Sequence, residues 1–323
     1  MKKQFISAAE LLLTAMIWGV AFVAQSVSMN YIEPMTFTCS RSILGGLVLI
    51  PVIIFVLKGK KRKNGTAKEI KQSSSNQPLL KEQETQIRNS IAGGIVCGIF
   101  LYLASTFQQY GILYTSVGKA GFLTALYIVL VPVFGIFLKK QVHFKIWCSC
   151  FLSIIGFYFL CLSEKFVLSK GDFLVFLSAI LFSFHILAID HFSPKGEPIL
   201  LSCIQFFICA LISGIFMFVF ESPSLAQIKA AAIPILYAGI LSSGVAYTLQ
   251  IVAQKNINPT LATLLMSLES VFSVLAGWLF LNQSLSRREI LGCILIFTAV
   301  LLAQLPHHLK KTPEKGKFNS PIN

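Results

Sequence analysis

Residues 259–281 read PTLATLLMSLESVFSVLAGWLFL. Their only formal charge is Glu269, close to the centre of the run. As an α-helix, at about 1.5 Å per residue, the run is roughly 35 Å long, with Glu269 about 15 Å from either end. That length matches the ~30 Å hydrocarbon core of a bilayer. A charge at that depth costs ~3 kcal/mol or more and normally faces the interior of a helix bundle.

The rest of the chain supports a membrane reading. Of 323 residues, 55% are hydrophobic and 12% charged, and 28 are Phe. Soluble domains carry about 25% charged residues. Ten apolar runs are long enough to span a bilayer: 7–27, 34–57, 90–114, 117–138, 144–162, 171–190, 198–220, 233–253, 259–281 and 288–305. A lipid-exposed segment must satisfy its own backbone, which predicts helices. The short alternating segments of a membrane barrel are absent. The expected fold class is therefore all-α integral membrane, with ten transmembrane helices.

The net charge of +14 raises nucleic-acid binding as a possibility, but topology accounts for it. With the N-terminus inside, 20 Lys and Arg fall on cytoplasmic segments and six on outer ones, with Arg41 inside a helix. Such a bias sets orientation. It predicts both termini in the cytoplasm, residence in the plasma membrane, contact with membrane lipids and no nucleic-acid partner. Residues 58–90 are basic and rich in Ser and Gln, and read as a mobile cytoplasmic loop whose first half can touch anionic lipid heads.

Motifs for other classes are missing. No Cys or His pair has zinc spacing, and there is no Gly-rich phosphate loop or GxSxG. No set of side chains in the sequence suggests an enzyme, a cofactor or a metal site.

The chain also contains a repeat. LTAMIWGVAFVAQSVSMNYIEP, Leu13–Pro34, aligns with LSAILFSFHILAIDHFSPKGEP, Leu177–Pro198, without a gap at an offset of 164. The segment from Thr115 aligns with that from Asn258 at an offset of 143, pairing Val131 with Val274 and Cys150 with Cys293. Residues 1–164 and 165–306 are thus two five-helix repeats, followed by a cytoplasmic tail at 307–323. Five helices reverse the direction of entry, so the second repeat is inverted. Inverted repeats are a recurring transporter design, with the substrate site at the midplane between them.

Several of these residues carry a family resemblance. They are Trp18-Gly19, the Pro34 to Arg41 spacing, LYIVLVPVFGIFL at 126–138, and Leu249–Gly292 as a block. The sequence resembles a ten-helix member of the drug/metabolite transporter superfamily, the EamA-domain group. The resemblance implies secondary-active export or import of a small metabolite, often an amino acid. Where that family usually has Glu-Pro, this chain has Glu269-Ser270, so no proline prescribes a helix break there. The alternatives are a non-transporting membrane scaffold and an intramembrane enzyme. Either a monomer or a homodimer suits the architecture.

Polar groups within spans are the candidates for a substrate and proton pathway. They are Glu269, His185, Arg41, Trp18, Tyr127, Gln108, Gln250 and Ser270. Glu269 can bind a proton or a substrate amine, or anchor helices. His185 can shuttle protons or pack between helices. Arg41 can hold a carboxylate, pair with an acid or, as favoured by its place two turns into a helix, snorkel outward. Trp18 can equally be ordinary packing. Gln205 and Tyr247 are further polar groups within spans, and Gln108 and Gln109, as neighbours, cannot face the same way.

Overall fold

The structure, a computed structural model of the chain, describes residues 2–68, 77–115, 117–139, 144–161, 169–281 and 287–304. The tail at 307–323 lies outside them. The described residues are helical and include no strand. In chain order the helices are α1 (Lys2–Ser28), α2 (Pro34–Lys68), α3 (Gln77–Ile112), α4 (Val117–Ala125), α5 (Tyr127–Phe137), α6 (Phe144–Cys161) and α7 (Lys170–Phe192). There follow α8 (Pro198–Phe220), α9 (Leu225–Ala230), α10 (Ala232–Leu236), a π-helix (Tyr237–Tyr247), α11 (Thr248–Gln254), α12 (Pro259–Met266), α13 (Glu269–Leu281) and α14 (Arg287–Gln304).

Eight helical stretches are long and apolar enough to cross a membrane. Two shorter apolar helices, Phe144–Gly156 and Ile290–Ala299, accompany them. This is the build of an integral membrane protein. Local chemistry sets many of the boundaries. Pro198 and Pro259 open α8 and α12, where a missing N–H costs nothing. Asn258 caps α12 by accepting from Leu261 N at 2.8 Å, and Ser169 with Asp172 forms a capping box on α7.

The segment at 58–90 departs from the expected loop. Helix α2 continues to Lys68, and α3 already begins at Gln77. Lys, Glu and Gln are good helix formers, and extending a helix that its span has already nucleated avoids the nucleation cost. Composition alone cannot see that advantage.

Two spans are broken. The break between α12 and α13 occurs at Ser267 and Leu268 without a proline. The hydroxyls of Ser267, Ser270 and Ser273 each donate to the carbonyl three residues back, at 2.7–2.8 Å. These local bonds compete with the helical ladder. The backbone tightens accordingly, with Leu268 N bonded to Leu265 O and Ser270 N to Ser267 O. In the fourth run, α4 and α5 meet at Leu126. Within α5, Pro132 cannot donate to Ile128 O, and the Cys150 thiol donates to that carbonyl at 3.5 Å.

Packing across the two halves is extensive. Helix α3 lies against α7 and α8, α2 against α8, and α1 against α13, while α1 and α2 flank the π-helix. At Gly19 the backbones of α1 and α13 come so close that an added Cβ would lie 2.3 Å from Phe272 Cβ. One end of the bundle is clasped by Glu221, at the end of α8. Its carboxylate accepts from Met35 N, Thr36 N and Thr36 Oγ1, each at 2.7 Å. These are charge-assisted bonds to the positive end of α2.

Candidate functional site

Side chains from both halves converge on one cavity. Helix α1 contributes Trp18, Phe22 and Gln25, α2 contributes Arg41, and α3 contributes Gln108. Thr124 and Tyr127 stand on either side of the break between α4 and α5. The second half supplies Phe182, His185 and Ile186 from α7, Ser242 and Tyr247 from the π-helix, Gln250 from α11, and Glu269 at the start of α13. The helix break matters here because it leaves Glu269 in the first turn of α13, at the lining.

Glu269 is buried, and its Oε1 accepts from the Tyr127 hydroxyl at 2.9 Å. The pair joins the two broken helices of opposite halves. Gln108 Nε2 donates to Thr124 Oγ1 at 3.0 Å. Gln109 points away and donates to Gln25 O at 3.3 Å. His185 is fully buried, with Nε2 3.0 Å from Gln205 Oε1. The Trp18 ring packs on Tyr247, with centroids 4.6 Å apart.

Seven of the eight residues singled out from the sequence line this cavity: Glu269, His185, Arg41, Trp18, Tyr127, Gln108 and Gln250. Ser270 does not. Its hydroxyl is spent on Ser267 O, and its Cα faces Gly121 of α4. One residue of helical rotation, about 100°, turns it away from the face that Glu269 occupies. Arg41 does not snorkel either. It is 4% exposed, with its guanidinium carbon 5.7 Å from the centre of the Phe37 ring. The neighbouring helices enclose it, which its position along α2 could not show.

Sequence reading passed over Phe22, Gln25, Thr124, Phe182, Ile186 and Ser242. Helical spacing held a signal for several. Phe22 and Gln25 follow Trp18 by four and seven residues, and Phe182 and Ile186 bracket His185 on one face of α7. Thr124 and Ser242 depend on the helix break and the π-helix, for which no comparable pattern exists.

The cavity is small and its polar groups are not all paired. Its volume is about 30 Å³. A single water needs at least ~10–15 Å³, whereas ligand pockets run to ~300–1,000 Å³. Five lining groups have a buried atom with no hydrogen-bond partner among the described residues: Trp18 Nε1, Gln25 Oε1, Arg41 Nε, His185 Nδ1 and Gln250 Oε1. Leaving such an atom unsatisfied costs about 1–3 kcal/mol. Five around one cavity are groups that water or a polar ligand would satisfy. Among the described residues no group of His, Cys, Asp and Glu could hold a metal ion.

Residues 6–162 and 169–305 each match the EamA-like transporter family. The chain belongs to that family. Relatives of this EamA-like protein include an "Uncharacterized transporter" of Archaeoglobus fulgidus, 28% identical over 296 residues, covering 91% of this chain and 84% of that one. Another is "Uncharacterized transporter YoaV" of Bacillus subtilis, 21% identical over 299 residues, covering 89% of this chain and 92% of the relative. A solved crystal structure shares the fold with a TM-score of 0.67 at 18% identity, covering 93% of this chain and 96% of that one. This EamA-like chain is accordingly a multi-pass membrane protein of a transporter family.

Proposed function

We propose that this protein is a secondary-active carrier of a small amphipathic or zwitterionic metabolite, an amino acid or a related compound, working by alternating access from the plasma membrane. One observation carries the reading. A small cavity between the two halves gathers a carboxylate, a guanidinium, an imidazole and several amides, some with unpaired polar atoms, beside aromatic walls. A volume of about 30 Å³ cannot admit a metabolite, so a substrate must enter by movement of one half against the other. The sequence holds no ATP-binding loop, which leaves an ion gradient or the substrate's own gradient as the driving force.

The full architecture in this proposal is ten transmembrane helices in two inverted five-helix repeats, with both termini cytoplasmic. Two features support it. The 143-residue offset pairs Leu126, where α4 gives way to α5, with Glu269, the first residue of α13. The short apolar helices at 144–156 and 290–299 pack on each other as the last element of each repeat.

In the proposed cycle, Glu269 binds either a proton or the ammonium group of the substrate. Arg41 offers a counter-charge for a carboxylate, and Trp18, Phe22 and Tyr247 receive the apolar part. Glu269→Gln keeps the shape and can still accept from Tyr127, but it can neither titrate nor hold a cation. In proteoliposomes, the wild type should show saturable counterflow of at least one metabolite from a broad panel. Glu269→Gln should lose proton-driven accumulation. Wild-type accumulation with an unchanged pH profile in Glu269→Gln would exclude the coupling role. Folded protein that moves no metabolite would favour a scaffold, and flux that never saturates would favour a channel.

A further inference from the structure

His185 is held by groups that leave it one free function. Its Nε2 is 3.0 Å from Oε1 of Gln205, a residue of α8 that is buried and stands outside the cavity lining. With Gln205 Oε1 turned to the ring, as here, the amide oxygen accepts and the imidazole carries its proton on Nε2. The neutral ring then carries a lone pair on Nδ1. That atom is buried and has no partner among the described residues. The ring cannot turn over cheaply, because a flip would put a carbon against the Gln205 oxygen. Phe182 and Tyr247 also hold its plane, edge to face at centroid distances of 6.5 and 5.9 Å.

The other unpaired atoms of the lining add a direction. Gln25 Oε1 and Gln250 Oε1 are acceptors, as His185 Nδ1 is. The unpaired donors are Arg41 Nε and Trp18 Nε1. Counting His185 Nδ1, three unpaired acceptors face two unpaired donors, so a ligand that brings N–H groups satisfies more of the lining than an anion alone.

We infer that Gln205 is a positioning residue that fixes His185 as the Nε2–H tautomer, so that His185 Nδ1 accepts a hydrogen bond from an N–H group of the substrate. The inference rests on the cavity being the substrate site, but its first readout does not need transport. In a protein labelled with ¹⁵N at histidine, His185→Gln assigns the His185 ring signals by their loss. The wild type should show a protonated Nε2 in slow exchange and an unprotonated Nδ1. Glu at position 205 still accepts, so Gln205→Glu should keep the Nε2 proton. Gln205→Leu should lose its protection from exchange.

The second readout uses a matched pair of probes, 2-phenylethylamine and 3-phenylpropionate, which share an aromatic end and differ in the charged group. The amine should move the Nδ1 signal, and the carboxylate should not. His185→Phe, which keeps an aromatic ring, should weaken amine binding about tenfold, the scale of one hydrogen bond. Gln205→Leu should weaken it as well, with Gln205→Glu restoring it. A wild-type His185 protonated on Nδ1 overturns the positioning role. An amine that leaves Nδ1 unmoved, or binds His185→Phe as tightly as wild type, overturns the acceptor role. If counterflow fails while both spectroscopic results hold, the carrier reading falls and this one stands.

Discussion

Gly19 offers a test of how tightly the candidate site is built. It sits one residue after Trp18, where α1 crosses the start of α13. An alanine Cβ there would lie 2.3 Å from Phe272 Cβ, 2.8 Å from Phe272 C and 2.9 Å from Glu269 O. Ordinary carbon contacts begin near 3.5 Å, at ~3.5–4.0 Å, so one of the two helices has to move by about 1 Å. Two of the three atoms are backbone, which cannot swing aside as a flexible side chain would. Overpacking of this kind costs about 1–3 kcal/mol, and the better helix propensity of Ala returns up to ~1 kcal/mol. The net loss for Gly19→Ala is about 1–2 kcal/mol. For a chain of this size that lowers the apparent melting midpoint by about 2–4 °C. Because the shift falls on the backbone that carries Glu269, counterflow should slow as well. Gly118→Ala is the control. Its added Cβ would meet only Val274 Cγ2, at 3.9 Å, an ordinary contact. That variant should match or slightly exceed wild-type stability. The assay is thermal unfolding of the purified protein beside counterflow in proteoliposomes. A Gly19→Ala protein as stable and as active as wild type would refute the close approach of α1 and α13.

Glu221→Ala should leave Met35 N and Thr36 N without their acceptor and cost about 1–3 kcal/mol in thermal unfolding, with Glu221→Gln losing less because its amide oxygen still accepts. Equal stability of all three would show that the clasp on α2 contributes nothing. For orientation, in an otherwise cysteine-free chain, Asn30→Cys should react with an impermeant thiol reagent on intact cells, and Glu84→Cys only after permeabilisation. Both positions are exposed, and the reverse pattern would overturn the inside placement of the termini.

The membrane class and most of the candidate site could be read from the sequence. Apolar runs of bilayer length are a one-dimensional signal, because each span must close its own hydrogen bonds. An isolated acid or imidazole inside such a run is visible for the same reason, since lipid penalises it. Glu269 and His185 needed no neighbours to be noticed. The tertiary structure decided the rest. Ser270 and Glu269 are adjacent in sequence, yet one faces the cavity and the other α4, and only the phase of a broken helix separates them. Arg41 looked free to reach the surface until α2 was enclosed by its neighbours. The partner of His185, Gln205, lies twenty residues away on another helix, and which nitrogen it takes is a matter of side-chain geometry. The clasp of Glu221 on α2 spans 185 residues of chain. Such pairings are chosen by packing between helices, where a charge or amide meets whatever surface the fold brings within 3 Å, and no local pattern of residue types records that choice.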